Sequence, residues 1–295
     1  MTKNARFIVS VCAFLGFTAC SDSAPPAPER GSWPFIGGGI TNTRNAANEH
    51  LINVGNAPRL ALKWSTVVRG VQQETPVSDG ETLFVANAQG GLFWIDQETG
   101  EILREIDVKD VLETPGISPR GLAVTSNAVV FGTRNKPLVA AIDKSSGALL
   151  WKAAIDAHPM ASVTQPPIIH GGRVYVGTSG LGEEVQATYG SYEECCVYRG
   201  SAVALNESTG EIIWKTYTVP EGFAGGSIWS RTPSIDEKRN TLYMTTGNAY
   251  AAPPDVQACI DKTKAENPAD LPSCYPPDVW NDSILALDPD TGAIK

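Results

Sequence analysis

One turn recurs four times along the chain. WIDQETGEILR starts at Trp94, AIDKSSGALLW at Ala141, ALNESTGEIIW at Ala204 and ALDPDTGAIK at Ala286. Each copy is an apolar strand, a polar turn closing on glycine, and a second apolar strand. The turn chemistry explains the recurrence: a short Asp or Asn side chain bonds backbone amides two residues on, and glycine accepts a positive φ. A supersecondary unit repeated in this way predicts an array architecture. The repeat glycines, Gly100, Gly147, Gly210 and Gly292, lie 47, 63 and 82 residues apart. The first spacing fits one four-stranded propeller blade of about 40–50 residues. The longer ones fit the same unit carrying the insertions LGEEVQATYGSYEECC and AYAAPPDVQACIDKTKAENPADLPSCYPPDVWND. The fourth copy reaches Lys295 where the second and third have tryptophan, so the expectation is about half of a larger closed ring.

Strands can be placed within a unit. PVSDGETLFVAN reads as strand, Asp79-Gly80 turn, strand. Gln89-Gly90-Gly91 turns the chain into LFWID, and Gly171-Gly172 turns PPIIH back into RVYVGT. Four antiparallel strands per unit, repeated radially, predict an all-β fold, a β-propeller of four-stranded antiparallel blades. Trp151 and Trp214, at the ends of two copies, are expected to pack between neighbouring blades.

The formal net charge of −9 argues against a nucleic-acid partner and against adhesion to anionic lipid through a basic face. The N-terminus reads as a targeting segment. Lys3 and Arg6 precede an apolar run over residues 7–17 that is short for a bilayer span. Phe17-Thr18-Ala19-Cys20 resembles a bacterial lipoprotein cleavage box, with Phe where Leu is usual. The expected organisation is a signal peptide over residues 1–20, a Ser/Pro/Ala tether over 21–32 and the propeller over 33–295. The only membrane contact expected is a lipid anchor at Cys20, which places the protein in the periplasm or on the outer membrane. Export permits disulfides. Cys195, Cys196, Cys259 and Cys274 allow three pairings. The three histidines, His50, His158 and His170, lack metal-ligand spacing.

The pattern A-x-D-x-x-T-G-x-x-x-W resembles that of the pyrroloquinoline-quinone (PQQ) dehydrogenase propellers over residues 33–295. ECCVYRGSAVALNESTGEIIW, SIWSRTPSIDEKRNTLYMTTGNAY and the insertion between Cys259 and Cys274 are most similar to the polyvinyl-alcohol dehydrogenase branch. The same repeat also builds a cofactor-free scaffold, the lipoprotein subunit of the outer-membrane barrel-assembly machinery, so fold alone does not settle function.

The resemblance implies a PQQ- and Ca²⁺-dependent alcohol dehydrogenase that passes electrons to a separate acceptor such as cytochrome c. Secondary alcohols, small or polymeric, are the implied substrates. It further implies a vicinal Cys195–Cys196 disulfide against the quinone, with Cys259 bonded to Cys274. Trp229 matches the family's floor tryptophan, which stacks on the cofactor; a tryptophan packed between blades is the other reading of that residue. Arg120, Thr164, Ser179 and Gly180 match cofactor-binding positions. Arg120 brings a guanidinium fork suited to oxyanions. Gln73 stands near a family glutamate that meets the cofactor. Asn248 and Glu183, with Glu184 as alternate, match the calcium ligands, whose hard oxygens suit that ion. The family's catalytic aspartate lies one blade further on than Asn248, past Lys295, so no base is named and this stretch alone is expected to be inactive.

Overall fold

The computed structural model describes residues 31–46, 49–180, 183, 185 and 195–295. The expected signal peptide, Cys20, most of the expected tether and Glu184 lie outside the described residues. Three consecutive four-stranded antiparallel sheets follow the repeat. The first joins β1 (Val77–Ser78), β2 (Thr82–Ala86), β3 (Gly91–Asp96) and β4 (Ile102–Asp107) in that order. The second joins β5 (Ser118–Val124), β6 (Ala128–Arg134), β7 (Leu138–Asp143) and β8 (Leu149–Ala154). The third joins β9 (Ile168–His170), β10 (Arg173–Thr178), β11 (Ser201–Asn206) and β12 (Ile212–Tyr217). A two-stranded ribbon of β13 (Ala224–Gly225) and β16 (Ala249–Ala251) precedes a sheet of β14 (Ser234–Asp236), β15 (Thr241–Thr245) and β17 (Ile284–Leu287). Ile294 bridges to Leu287 along the free edge of β17, beginning a fourth strand there. The hairpin turns fall where the glycine pairs placed them.

Each repeat turn is built alike. The leading Asp96, Asp143, Asn206 or Asp288 accepts backbone N–H bonds from the residues two and three positions on. A neighbouring indole then docks on the turn. Trp64 Nε1 donates to Gln97 O at 3.1 Å, Trp94 to Lys144 O at 2.7 Å, Trp151 to Glu207 O at 2.8 Å and Trp214 to Pro289 O at 3.0 Å. The acceptor is always the residue after the leading Asp or Asn. At Gly210, with φ 74°, an added Cβ would stand 2.5 Å from the Trp151 ring, so glycine serves both the backbone conformation and the seating of the indole. The first sheet obtains its indole differently. Arg104 occupies the β4 position that holds tryptophan in β8 and β12, and Trp94, its cross-strand partner on β3, fills the space instead.

Burial follows the radial order. The outer strand β4 has no buried residue, and in β8 and β12 the tryptophan alone is buried. Inner strands are buried on both faces, and their side chains interleave between blades. Phe84, Leu92, Trp94, Leu122 and Phe131 meet between the first two sheets. Val130, Trp151, Val174, Tyr175, Trp214 and Leu242 carry the core through the rest. Residues 33–40 lace across the innermost strands: Trp33 pairs with Ser78, Phe35 with Ala123, and Ile40 O accepts from Ile235 N at 2.8 Å.

Among the described residues the helices α1 (Val108–Val111) and α2 (Pro254–Glu266) interrupt the sheets. The second was not expected from periodicity. Of its thirteen residues only Ile260 is buried, and the Cys259–Cys274 disulfide, with Cα atoms 5.7 Å apart, ties it to the following 3₁₀ turns. No helix among the described residues is long and apolar enough to cross a membrane.

Two outcomes follow from the docked turns. Trp151→Ala should lower stability by about 3–5 kcal/mol, the usual cost of emptying a buried aromatic site. Trp151→Phe should lose about 1 kcal/mol for the missing hydrogen bond plus the smaller ring; urea unfolding reads both. The Asp143 carboxyl is lowered to about 2, chiefly by the Ser145 hydroxyl and then that of Ser146. A depressed carboxyl stabilises the fold above its unfolded value of 3.8 and ceases to do so as pH falls toward 2. Asp143→Asn, the residue type found in the third copy, should therefore flatten the fall in melting temperature between about pH 4 and pH 2 while leaving the fold intact.

Candidate functional site

The antiparallel order puts the start of each first strand beside the end of each second strand, on one face of the array. The register repeats across the sheets: Gln72 bridges Asn87, Arg120 pairs with Gly132, and Ser162 bridges Ser179. Residues 73–74, 120, 164 and 227–230 thus reach the same place from four successive units. There a cleft of about 340 Å³ is lined by Arg120, Arg134, Thr164, Ser179, Ser227, Ser230, Trp229 and Tyr250, with Gln73 and Glu74 behind Arg120. That volume lies within the range of about 300–1,000 Å³ common to small-molecule sites. A second cleft of about 610 Å³ opens outward from it and shares Arg120, Thr164 and Ser230.

Arg120 is fixed from behind. Its Nη1 lies 2.6 Å from Glu74 Oε1, its Nη2 donates to Gln73 Oε1 at 2.9 Å, and Glu74 Oε2 accepts from Gly121 N at 2.8 Å. Arg120 Nε is buried and has no partner among the described residues. Gly121, with φ 56°, lets this strand pass Pro166 of the next unit; an added Cβ would stand 2.3 Å from Pro166 Cα. Sequence reasoning named Gln73 here and missed Glu74. Both touch Arg120, but Glu74 makes the ion pair. No periodicity marks which of two adjacent residues in an irregular segment turns inward.

Thr164 Oγ1 and Ser179 Oγ are 2.9 Å apart on the cleft wall. Gly180 N donates to Ser227 Oγ at 3.0 Å, and Ser227 Oγ lies 2.9 Å from the Tyr250 hydroxyl. Gly180 therefore joins the cleft through Ser227, a residue the sequence did not single out. Trp229 is 51% exposed, unlike the docked indoles. Its ring edge rests on Gly247, where an added Cβ would stand 2.9 Å from Nε1, and the residue is among those lining the cleft. Arg134 at the end of β6, Tyr250 within β16 and Ser230 next to Trp229 complete the lining without a sequence signal.

Glu183 sits apart from both cleft linings. Its carboxylate is fully buried, accepting from Val197 N at 2.8 Å and Tyr198 N at 2.9 Å, with His158 Nε2 3.5 Å away. His158 Nδ1 accepts from Met160 N, which leaves the ring proton on Nε2, facing Glu183. Cys195 and Cys196 are bonded to each other immediately before these amides. Glu183 thus anchors the strand that carries the disulfide. Tyr198 O accepts from Gly225 N, and Gly226 N donates to Asn248 O, so the Glu183 and Asn248 segments meet on one backbone ladder. The Asn248 side chain is exposed, and its Nδ2 donates to Ala249 O. No cluster of three or more His, Cys, Asp or Glu side chains able to hold a metal occurs among the described residues. The donor chemistry still fits a hard cation: Glu183 keeps lone pairs beyond its two amide bonds, and Asn248 Oδ1 has no donor among the described residues.

Comparison with known proteins gives the family. The family model for PQQ repeats described as "Outer membrane protein assembly factor BamB" matches residues 53–266. The chain belongs to this family of PQQ-repeat propellers. It is 33% identical over 257 residues to a polyvinylalcohol dehydrogenase of Pseudomonas sp., covering 78% of this chain and 38% of the relative. It is 29% identical to that of Sphingopyxis sp. (strain 113P3), covering 94% and 41%. The solved quinohemoprotein alcohol dehydrogenase of Comamonas testosteroni superposes with a TM-score of 0.64 at 24% identity over 90% of this chain and 41% of that one, a likeness of fold. The chain thus spans about 40% of the length of these relatives.

Glu183→Ala would leave two buried amides without an acceptor, at about 1–3 kcal/mol each. The expected loss is about 2 kcal/mol or more in urea unfolding, with Glu183→Gln, which keeps one acceptor oxygen, in between.

Proposed function

We propose that the inner cleft binds PQQ and that the protein carrying it is a quinoprotein alcohol dehydrogenase of the bacterial cell envelope. The observation that supports this most is the joint presence of an exposed indole face, a clamped arginine with an unpartnered buried Nε, and a paired Thr164–Ser179 wall. PQQ is a flat quinone with three carboxylates, rich in acceptors. The cleft is correspondingly rich in donors, with Arg120, Arg134, Thr164, Ser179 and the Tyr250 hydroxyl. Trp229 stacks on one ring face, as offset aromatic pairs prefer. Arg120, held in position by Glu74, presents its fork to a carbonyl or carboxylate oxygen. Thr164 and Ser179 hydrogen-bond the ring edge, and Ser227 with Tyr250 holds the floor level with Gly180.

Bound there, the quinone would supply the two-electron oxidant for an alcohol, whose hydroxyl proton would leave to a base as its carbinol hydrogen is transferred and a carbonyl forms. The electrons then pass to a separate acceptor such as a cytochrome c. Ca²⁺ belongs to this reading, with Glu183 and Asn248 as the residues that would hold it through hard oxygens. Secondary alcohols are the favoured substrates, because the dehydrogenases of highest identity named above act on a polymeric one. The two disulfides fit an oxidising compartment and so support export. A cofactor-free scaffold has no use for an exposed indole and a clamped arginine lining one cleft, which favours the enzyme over the assembly role named in the family description.

Fluorescence titration with PQQ should show saturable quenching of the protein. Trp229→Ala and Arg120→Ala should each weaken binding about tenfold or more, the loss expected for a stacking face or a charge-assisted hydrogen bond. Unchanged binding in both variants would rule out this site.

A further inference from the structure

We propose that the outer cleft holds a carboxylate-binding subsite formed by Arg44 and Arg231, which selects alcohols that also carry a carboxylate. This deepens the dehydrogenase reading and rests on it for the fate of the alcohol, though not for the binding itself.

Three arginines line the outer cleft. Arg120 is neutralised by Glu74. Neither Arg44 nor Arg231 has a hydrogen bond or ion pair from its guanidinium among the described residues. Two uncompensated cations facing one cavity are notable in a chain of net charge −9, where acidic partners are plentiful. Like charges kept together without a counter-ion favour an anionic guest.

The backbone beneath both is tightly held. Arg44 has φ 55°, and its N–H donates to Gly37 O at 2.9 Å. Arg231 follows Ser230, which has φ 71°, and its N–H donates to Trp229 O at 2.8 Å. The fully buried Gln165 grips the Arg231 carbonyl through Nε2 at 2.7 Å. Asn42, two residues before Arg44, donates Nδ2 to Thr232 O at 2.9 Å and so ties the two arginine segments together. Non-glycine residues in the left-handed region persist where the surroundings over-determine them. Both arginine side chains line the same cleft.

The chemistry of the cavity narrows the guest. A guanidinium fork matches a carboxylate in two-point fashion. The same cleft is also lined by Trp33, Ile36 and Pro166, apolar surface suited to methylene groups. The guest is therefore an alkanoate carrying a secondary hydroxyl near its far end, an (ω−1)-hydroxyalkanoate. Its carboxylate rests on Arg44 and Arg231, its chain crosses the apolar wall, and its hydroxyl points toward the inner cleft. PQQ also bears carboxylates, so the test must separate the two sources.

Binding of 5-hydroxyhexanoate, of 2-hexanol and of PQQ can be measured calorimetrically on the same protein and on R44Q/R231Q. The expected result is at least a tenfold preference of the wild type for 5-hydroxyhexanoate over 2-hexanol, weakened by added salt. In R44Q/R231Q that preference is lost while PQQ and 2-hexanol bind as before. The single variants R44Q and R231Q, each losing part of the preference, serve if the double variant does not fold. A wild type without preference, or a variant that retains it, overturns the subsite. An equal loss of PQQ affinity in R44Q/R231Q also overturns it, by assigning both arginines to the cofactor. Failure of PQQ to bind the wild type sinks the dehydrogenase reading while leaving the subsite to be judged on the hydroxy acid alone.

Discussion

The structure depends on an indole seated on its neighbour's turn. Each blade presents a turn whose Asp or Asn closes the loop from within and whose glycine leaves room above it. The adjacent unit fills that room with a tryptophan that donates to the turn carbonyl. The contact is both apolar and directional. It buries a large ring and satisfies its one donor, so it fixes the rotation of one sheet against the next. Repeated four times, it sets the first strands at a constant pitch and brings their starts to one place. The cleft is a consequence of that pitch. No single blade contains it.

This explains which parts were legible in the sequence. The turn, the hairpins and the seats of Trp151 and Trp214 follow from local chemistry repeated in register, which a linear reading detects. Trp94 escaped because the contact is conserved in space and not in position; Arg104 stands at the expected place while the indole comes from the strand beside it. The helix α2 escaped because a disulfide and one buried isoleucine hold it, with no amphipathic stripe to reveal it.

The site was legible to the extent that each blade contributes an equivalent position. Arg120, Thr164, Ser179 and Trp229 converge as their matching strand ends require. What the sequence could not supply is the layer behind them. Glu74 is separated from Arg120 by a whole blade, Ser227 from Gly180 by 47 residues, and His158 from Glu183 by strands β9 and β10. These partners meet only because adjacent units share a face. They matter chemically, since an arginine fixed from behind offers its fork without losing side-chain freedom on binding. Glu183 shows the same division: its identity suggests a ligand, while its observed bonds make it the anchor of the strand after Cys195–Cys196.

The central claim is that one face of the array is a quinone site, and a crystal structure determined with PQQ tests it most directly. The account predicts the cofactor ring against the open face of Trp229, with oxygens in reach of Arg120, Thr164 and Ser179. Density for PQQ elsewhere, or none at saturating cofactor with Trp229 folded across an empty cleft, would contradict it.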